Sequence, residues 1–157
     1  MKITFLTIGK TEDNYLKEGI EKYLKRLKHY IKFEMVEIPE LKNTKSLSEE
    51  QQKVKEAEII SKNIINTDYI ILLDERGTEL SSTRFSDSLN KKMLSSIQHL
   101  VFIVGGPYGF DNSLLIRANE KLSLSKMTFS HQMVRLFFVE QLYRAFTILK
   151  GEPYHHE

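Results

Sequence analysis

The sequence predicts an α/β protein in which a mostly parallel sheet is flanked by helices. Two continuous apolar runs, residues 69–73 and 100–104, are typical of strands that are buried on both faces of a parallel sheet. Before, between and after these runs, apolar residues recur at the spacing of amphipathic helices. Strands and helices therefore alternate along the chain, and this order favours a parallel sheet with helices on its faces.

The N-terminal part of the chain predicts two strands and two helices. Residues 1–9 are mostly apolar and end at a glycine, which favours a strand covered on both faces. Residues 33–38 are β-prone and stop at a proline, which predicts the second strand. A capping box of Ser48 and Gln51 predicts the start of the second helix, which we expect to reach Asn66. The first helix is predicted from five apolar residues at helical spacing: Leu16, Ile20, Tyr23, Leu24 and Leu27.

The C-terminal half predicts a third helix between the two apolar runs, with Phe85, Leu89 and Met93 on its buried side. After the second run we expect a loop, a short helix near residues 113–119 and a short strand around residues 121–124. A long helix is then predicted from about residue 130 to residue 150. Gly151 follows it, as glycine commonly does at a helix C-terminus.

The last helix differs from the others because apolar residues surround most of its circumference. This pattern requires a second covering surface, and two arrangements supply one. Either an identical subunit packs on the helix across a two-fold axis, or the helix passes through the centre of its own fold. The residues concerned are Met133, Val134, Leu136, Phe137, Phe138, Val139, Leu142, Tyr143, Phe146, Ile148 and Leu149.

Length and composition indicate one domain, residues 1–157, because 157 residues with 41% hydrophobic positions suffice for a single core. The formal net charge of +2 is too small for a dedicated polyelectrolyte binder, so an RNA partner is neither required nor excluded. The chain has no cysteine, which excludes disulfides and thiolate chemistry and fits a reducing, cytoplasmic location. No apolar run approaches the roughly 20 residues of a membrane span, so no membrane association is expected.

Three strand ends are candidate ligand-binding segments, because ligands of open α/β sheets bind outside the carboxyl ends of the strands. These segments are residues 72–77, 103–109 and 122–129. The glycine pair Gly105 and Gly106 would let a flat ligand approach bare backbone, although an isolated Gly-Gly-Pro equally marks a tight turn.

Other common site patterns are absent from the sequence. The glycine spacing differs from the dinucleotide fingerprint, and no Walker lysine follows it. His131, His155 and His156 lack the spacing of metal ligands, so we expect no metal site.

Several segments, taken together in order and spacing, resemble the ribosomal RNA large-subunit methyltransferase H (RlmH) family of the SPOUT class over the whole chain. The resemblance implies a C-terminal trefoil knot and a homodimer. It also implies methyl transfer from S-adenosylmethionine to N3 of pseudouridine 1915, in helix 69 of 23S rRNA, on the assembled ribosome. The segments are Gly9, residues 73–74, residues 105–109, residues 122–129, His131, residues 134–135, residues 140–145 and residues 153–155.

The same resemblance implies which residues contact the cofactor, and they fall on the three strand ends described above. Lys126 is a variable position in an otherwise regular loop, so only its backbone is expected to take part. The residues are Leu73, Gly105, Leu124, Ser125, Lys126, Met127, Thr128 and Phe129.

Candidate catalytic residues follow from the chemistry of the implied reaction, an in-line displacement for which alignment is the main contribution. N3 of pseudouridine loses a proton, so a nearby group accepts it or stabilises the anion. Arg144 suits stabilisation of the anion, whereas His131, Tyr154 or His155 suits acceptance of the proton.

Alternatives remain open at the residue level. Arg144 and Glu140 form an i, i+4 pair that would also serve as helix support. His131 is equally compatible with a structural role, and Arg135 with a dimer-interface or phosphate contact. The Lys and Glu face of the first two helices is interpreted as solvated surface, with phosphate contacts by Lys10, Lys17 and Lys25 as the second interpretation.

Two other functions are also compatible with the sequence. One is a non-catalytic ribosome-binding or assembly factor of the same fold. The other is a SPOUT methyltransferase that acts on another RNA nucleotide. Binding of S-adenosylmethionine separates the first from an enzyme, and mapping of the methylated nucleotide separates the second.

Overall fold

The computed structural model describes residues 1–156 and contains a five-stranded, all-parallel sheet, which confirms the predicted α/β class. Glu157, the last residue of the predicted domain, lies outside the described residues. The strand order across the sheet is β2-β1-β4-β3-β5. The strands are β1 (Lys2–Ile8), β2 (Lys32–Ile38), β3 (Tyr69–Glu79), β4 (His99–Val104) and β5 (Glu120–Ser123).

Helices cover both faces of the sheet. Three of them, α1, α3 and α5, pack on one face around Phe138, whose ring centroid lies 4.5 Å from that of Phe5 and 4.7 Å from that of Phe102. The other two, α2 and α4, pack on the opposite face over Leu6 and Ile103. This split follows from the alternation of side chains along each strand. The helices are α1 (Asn14–Leu27), α2 (Glu49–Ser61), α3 (Ser82–Met93), α4 (Asn112–Arg117) and α5 (Met133–Leu149).

The start of α2 is as predicted, but its end is not. Ser48 Oγ accepts from the backbone N–H of Gln51 at 3.1 Å, and Gln51 Oε1 accepts from the Ser48 N–H at 2.9 Å, which completes the capping box. The helix ends at Ser61 rather than near Asn66. The Asp68 carboxylate accepts from the Ile65 N–H at 2.9 Å, and this local bond holds the chain in a turn instead of a further helical turn.

Strand β3 is longer than its apolar run. It continues past Leu73 to Glu79, with a break in its register against β5 between Leu73 and Thr78. The second part is mostly exposed, which explains its polar sequence. A Cβ at Gly77 would lie 2.7 Å from the backbone of Lys121, so the two strands approach closely enough to require glycine there.

Helix α5 lies between α1 and α3 above the sheet. Phe138, Val139 and Leu142 are fully buried by these neighbours, whereas Phe137 is 40% exposed. The chain's own elements therefore cover most of the apolar circumference, and Phe137 is the exposed apolar residue of α5. Among residues 1–156, no helix has the length and apolar character needed to cross a membrane.

Candidate functional site

A cleft of about 560 Å³ opens where β3, β4 and β5 end. Its walls come from all three candidate segments of the sequence, together with the start of α5. The sequence-predicted strand ends therefore converge on one site. The lining consists of residues 73–76, residues 104–110, Leu122, residues 124–125, residues 127–131 and Val134.

The glycine turn after β4 presents backbone to this cleft because its other side is closed. A Cβ at Gly105 would lie 3.1 Å from the Phe110 ring, and one at Gly106 would lie 2.3 Å from a carboxylate oxygen of Glu56. The Gly109 N–H donates to the Gly106 carbonyl at 3.2 Å, which completes the turn. Bare backbone facing a cleft can read the edge of a flat ligand with its N–H and C=O groups.

The opposite wall is the loop after β5, and its own hydrogen bonds hold it in place. Ser123 Oγ donates to the Ser125 carbonyl at 2.8 Å, and Ser125 Oγ accepts from the Met127 N–H at 3.0 Å. The Thr128 hydroxyl donates to the Glu75 carboxylate, which joins this loop to β3. The loop is therefore shaped independently of any ligand, as a preorganised site requires.

The structure places seven of the eight predicted cofactor-contacting residues on the cleft. The exception is Lys126, whose side chain is 87% exposed and whose Nζ lies 3.9 Å from Glu79. A cofactor contact through the Lys126 backbone stays a prediction. His131 also lines the cleft, at the end of the loop.

Glu56 lies behind the glycine turn, and sequence reasoning did not single it out. It is 5% exposed, and its Oε1 has no hydrogen-bond partner among the described residues. Burial raises the pKa of the Glu56 carboxyl, and the neighbouring Glu40 adds to this effect, while the hydrogen bond from Gln52 opposes it. The only sequence signal is an acidic residue beside the buried Ala57 of α2.

Arg135 is fully buried, so it makes neither the interface contact nor the phosphate contact considered from the sequence. Its guanidinium donates to several acceptors at the ends of β1 and β2 and to the end of the cleft loop. Burial lowers the pKa of Arg135, and the nearby Glu37 carboxylate opposes this shift. The acceptors are Ile8 O at 2.9 Å, Gly9 O at 2.9 Å, Thr11 Oγ1 at 3.1 Å, Glu37 Oε2 at 3.2 Å and His131 O at 3.0 Å.

A second cluster lies at the other end of α5 and contains Arg144, Tyr154 and His155. Glu140 holds it together, since its Oε1 accepts from Arg144 Nη2 at 2.7 Å and from the Tyr154 hydroxyl at 2.8 Å. Arg144 Nη1 lies 3.2 Å from Nδ1 of His155, which is the acceptor because a guanidinium only donates. Glu140 thus does more than support the helix, because it also joins the C-terminal tail to Arg144. The sequence indicated the pair of Glu140 and Arg144 by its i, i+4 spacing, but not the contact with Tyr154.

Contacts with α1 and the turn after it hold the C-terminal tail against the body of the protein. The Tyr30 hydroxyl donates to Glu152 at 2.6 Å, and the hydroxyls of Tyr23 and Tyr154 lie 3.3 Å apart. The hydrogen bond to Glu152 raises the pKa of Tyr30 to about 12. Burial, together with the bonds to Tyr23 and Glu140, raises the pKa of Tyr154 well above its ordinary value, so its hydroxyl stays protonated at neutral pH.

The four candidate catalytic residues fall into two groups within one chain. His131 lines the cleft, whereas Arg144, Tyr154 and His155 do not. Val134 lines the cleft ten residues before Arg144 on α5, so the two sites are separated by roughly 15 Å along the helix axis. Within the described part of the chain, no group of three or more His, Asp or Glu side chains is arranged to hold a metal ion.

The fold and the cleft define an α/β protein with a cleft at the carboxyl ends of its parallel strands, which is where open α/β sheets bind their ligands. A family model described as "Predicted SPOUT methyltransferase" matches residues 1–155. The structure is also similar to a probable methylase family protein from Haemophilus influenzae Rd KW20, with a TM-score of 0.53. At 13% identity over 99% of this chain and 70% of that one, this likeness concerns the fold.

Curated relatives match the chain over its full length. A protein of Parabacteroides distasonis is 58% identical over 157 residues, and one of Flavobacterium johnsoniae is 56% identical over 157 residues, each covering 100% of both chains. A protein of Bacteroides fragilis is 54% identical with the same coverage. All three are named ribosomal RNA large subunit methyltransferase H. The chain belongs to the SPOUT methyltransferase family, in the group of proteins that carry this name.

Proposed function

We propose that this protein transfers a methyl group from S-adenosylmethionine to large-subunit ribosomal RNA. The observation that carries the proposal is the convergence of three strand ends on one backbone-walled cleft, in a chain 54–58% identical to named rRNA methyltransferases. The glycine turn supports the fit of the cofactor, because Gly105 and Gly106 line the cleft without side chains, so bare backbone forms that part of its wall.

The residues that would hold the cofactor are Leu73, Gly105 and the loop residues 124–129. When bound, S-adenosylmethionine would supply a methyl group on a sulfonium centre. A nucleophile attacks such a methyl in line with the carbon–sulfur bond, and the sulfur leaves as a thioether. The main task of the chain is to align that methyl with the acceptor nitrogen. The backbone of the glycine turn and of the self-bonded loop performs this alignment without reorganisation, since both are already fixed by internal contacts.

The proposed acceptor is N3 of a pseudouridine in helix 69 of 23S rRNA. Arg144, held by Glu140, stabilises the negative charge that develops on the deprotonated base. The Tyr154 hydroxyl stays protonated and donates a hydrogen bond to Glu140. It therefore orients the pair of Glu140 and Arg144 rather than accepting the N3 proton. His131 and His155 remain the candidates for accepting that proton.

We also propose that the protein is a homodimer with a C-terminal trefoil knot and acts in the cytoplasm, as the family resemblance implies. The separation of the cleft from the Arg144 cluster supports the dimer, because a two-fold axis can bring the cleft of one protomer to the tail of its partner. The exposed Phe137, which packs on Phe129 at 4.9 Å, offers apolar surface for that contact.

The test is mass spectrometry of 23S rRNA from a bacterium that lacks its own relative of this protein, with and without this chain expressed. We expect one added methyl on the helix 69 pseudouridine only when the chain is present. Methylation of a different nucleotide would contradict the proposed target and identify that nucleotide as the substrate instead. An absence of methylation, with the protein bound to ribosomes, would favour a non-catalytic assembly factor.

A further inference from the structure

The C-terminal end of α1 combines aromatic rings with an arginine that makes no ion pair. Tyr23 precedes Arg26 by one helical turn, and both contact Tyr143 of α5, with the two tyrosine rings 5.7 Å apart. The Arg26 guanidinium lies 5.6 Å from the Tyr23 ring centroid and 5.3 Å from that of Tyr143. Both distances are within the range of cation–π attraction.

Arg26 differs in its partners from the other arginines: the exposed Arg84 also has no ion pair among the described residues, but only Arg26 lies against two aromatic rings. Arg76, Arg135 and Arg144 each pair with a carboxylate, and Arg117 donates to three backbone carbonyls. Arg26 has no ion pair among residues 1–156. It is half-buried, and two aromatic rings lie 5.6 Å and 5.3 Å from its guanidinium carbon, so the group is held against the rings while part of the side chain is open to solvent.

A stacked and unpaired arginine is suited to bind phosphate. Its planar fork of donors matches phosphate oxygens bidentately, and stacking reduces the conformational entropy that is lost on binding. The Tyr143 ring that supports it lies 4.8 Å from the Tyr154 ring, so Arg26 borders the cluster of Arg144, Tyr154 and His155. An RNA strand that places a base at that cluster carries a phosphate at every neighbouring nucleotide.

We propose that Arg26 binds a backbone phosphate of the RNA substrate beside the Arg144 cluster, with Tyr23 and Tyr143 as its positioning residues. This inference rests on the proposed rRNA methyltransferase function and extends it to the mode of substrate binding. A phosphate contact positions the RNA without reading its sequence, which agrees with the small net charge of the protein.

A structural role for Arg26 makes a different prediction. Arg26 and Lys25 lie in the last turn of α1, where cations interact favourably with the helix dipole. Loss of that interaction would lower thermal stability but would leave the salt dependence of RNA binding unchanged. The salt dependence is therefore the measurement that separates the two roles. Each phosphate contact releases counterions from the RNA on binding, so a variant that has lost one contact releases fewer of them and shows a weaker salt dependence.

The experiment measures binding of the full-length protein to unmethylated large ribosomal subunits at several salt concentrations. Arg26→Gln keeps a planar group over the rings without the charge, Arg26→Ala removes both, and Arg26→Lys keeps the charge. Lys55→Ala is the matched control, since Lys55 is exposed on α2 at the opposite face of the sheet. S-adenosylmethionine affinity is measured for each variant.

We expect the slope of log affinity against log salt to fall by about one unit in Arg26→Gln and Arg26→Ala. Lys55→Ala should keep the wild-type slope, and Arg26→Lys should keep most of it. Cofactor affinity should be the same in all variants. A wild-type slope in Arg26→Gln, with ribosome methylation intact in the wild type, would overturn this inference alone. A wild-type protein that neither binds nor methylates the subunits would overturn the proposed function itself.

Discussion

The guanidinium of Arg135 donates a 2.9 Å hydrogen bond to the carbonyl oxygen of Gly9, which precedes it by 126 residues. The same side chain donates to the carbonyl of His131 at 3.0 Å, at the end of the cleft loop. One buried cation thus joins the end of β1 to the loop that forms a wall of the cleft. The position of His131 relative to the sheet depends on this arginine.

Replacing Arg135 with Met should destabilise the protein strongly. The substitution leaves the carbonyls of Ile8, Gly9 and His131 without this donor and removes the charge partner of Glu37. Breaking a buried pair costs about 3–5 kcal/mol, and we expect about 3 because the Glu37 side chain is 35% exposed. Urea unfolding measures the change.

Arg135→Lys is the control for this prediction, because it keeps the charge but has fewer and differently placed donors. It should fall between the wild type and Arg135→Met in stability. Equal stability of Arg135→Met and the wild type would show that the buried hydrogen bonds contribute little.

A bulky side chain at Gly105 should abolish cofactor binding without unfolding the protein. A Cβ at Gly105 would lie 3.1 Å from the Phe110 ring, which itself lines the cleft, so the indole of Gly105→Trp has to displace that ring and distort the cleft wall. S-adenosylmethionine should raise the melting temperature of the wild type but not that of the variant. Lys126→Ala, at a side chain directed away from the cleft, should keep the wild-type shift. An undiminished shift in Gly105→Trp would place the cofactor elsewhere.

Glu56→Gln should change the pH dependence of stability. Burial raises the pKa of Glu56 above its ordinary value of 4.5, so the folded protein retains this proton to higher pH than the unfolded chain does. The stability of the wild type therefore falls as pH rises from about 4.5 through the raised pKa. The amide does not titrate, so the melting temperature of Glu56→Gln relative to the wild type should increase between pH 4 and pH 8. A difference that stays constant with pH would contradict the buried position of the carboxyl.

Tyr154→Phe should slow turnover on ribosomes while leaving cofactor affinity unchanged. The ring remains beside Arg144, but the hydroxyl that donates to Glu140 at 2.8 Å is lost. A hydrogen bond to a charged group contributes about 1.5–3 kcal/mol, so we expect kcat to fall about ten- to hundredfold. Steady-state kinetics with unmethylated large subunits measures kcat and both KM values.

Removal of residues 154–157 should also slow turnover without changing cofactor affinity, and by more than Tyr154→Phe does. His156→Ala, at an exposed position, should leave turnover unchanged. Glu157 belongs to the deleted segment but lies outside the described residues. Normal turnover after the deletion would rule out a role for the tail.

The strands and the position of the cleft could be predicted from the sequence, because both depend on local patterns of apolar residues and glycines. Residues 69–73 and 100–104 form buried strands because an unbroken apolar run has few other places in a small fold, and strands that run parallel present their carboxyl ends at one edge. The convergence of the segments that follow is a consequence of that geometry.

The roles of Glu56 and Arg135 were beyond sequence reasoning because their partners are remote in the chain. The charge pattern predicts a solvated position for Glu56, and only the three-dimensional packing of α2 against the glycine turn reveals its burial. For Arg135, the pattern is consistent with a surface contact, whereas the acceptors that bury it lie at the ends of β1 and β2. The division of the catalytic candidates between two ends of α5 likewise emerges only in three dimensions.

The most direct test of a site shared between two chains is a subunit-mixing assay with Gly105→Trp and the variant that lacks residues 154–157. Each variant alone should be inactive, because Gly105→Trp has no functional cofactor cleft and the deletion variant has no tail. Heterodimers purified through two different affinity tags should recover methyl transfer to large subunits, because one cleft then faces one intact tail. Heterodimers that remain inactive would contradict the account and place the cleft and tail of each site in the same chain.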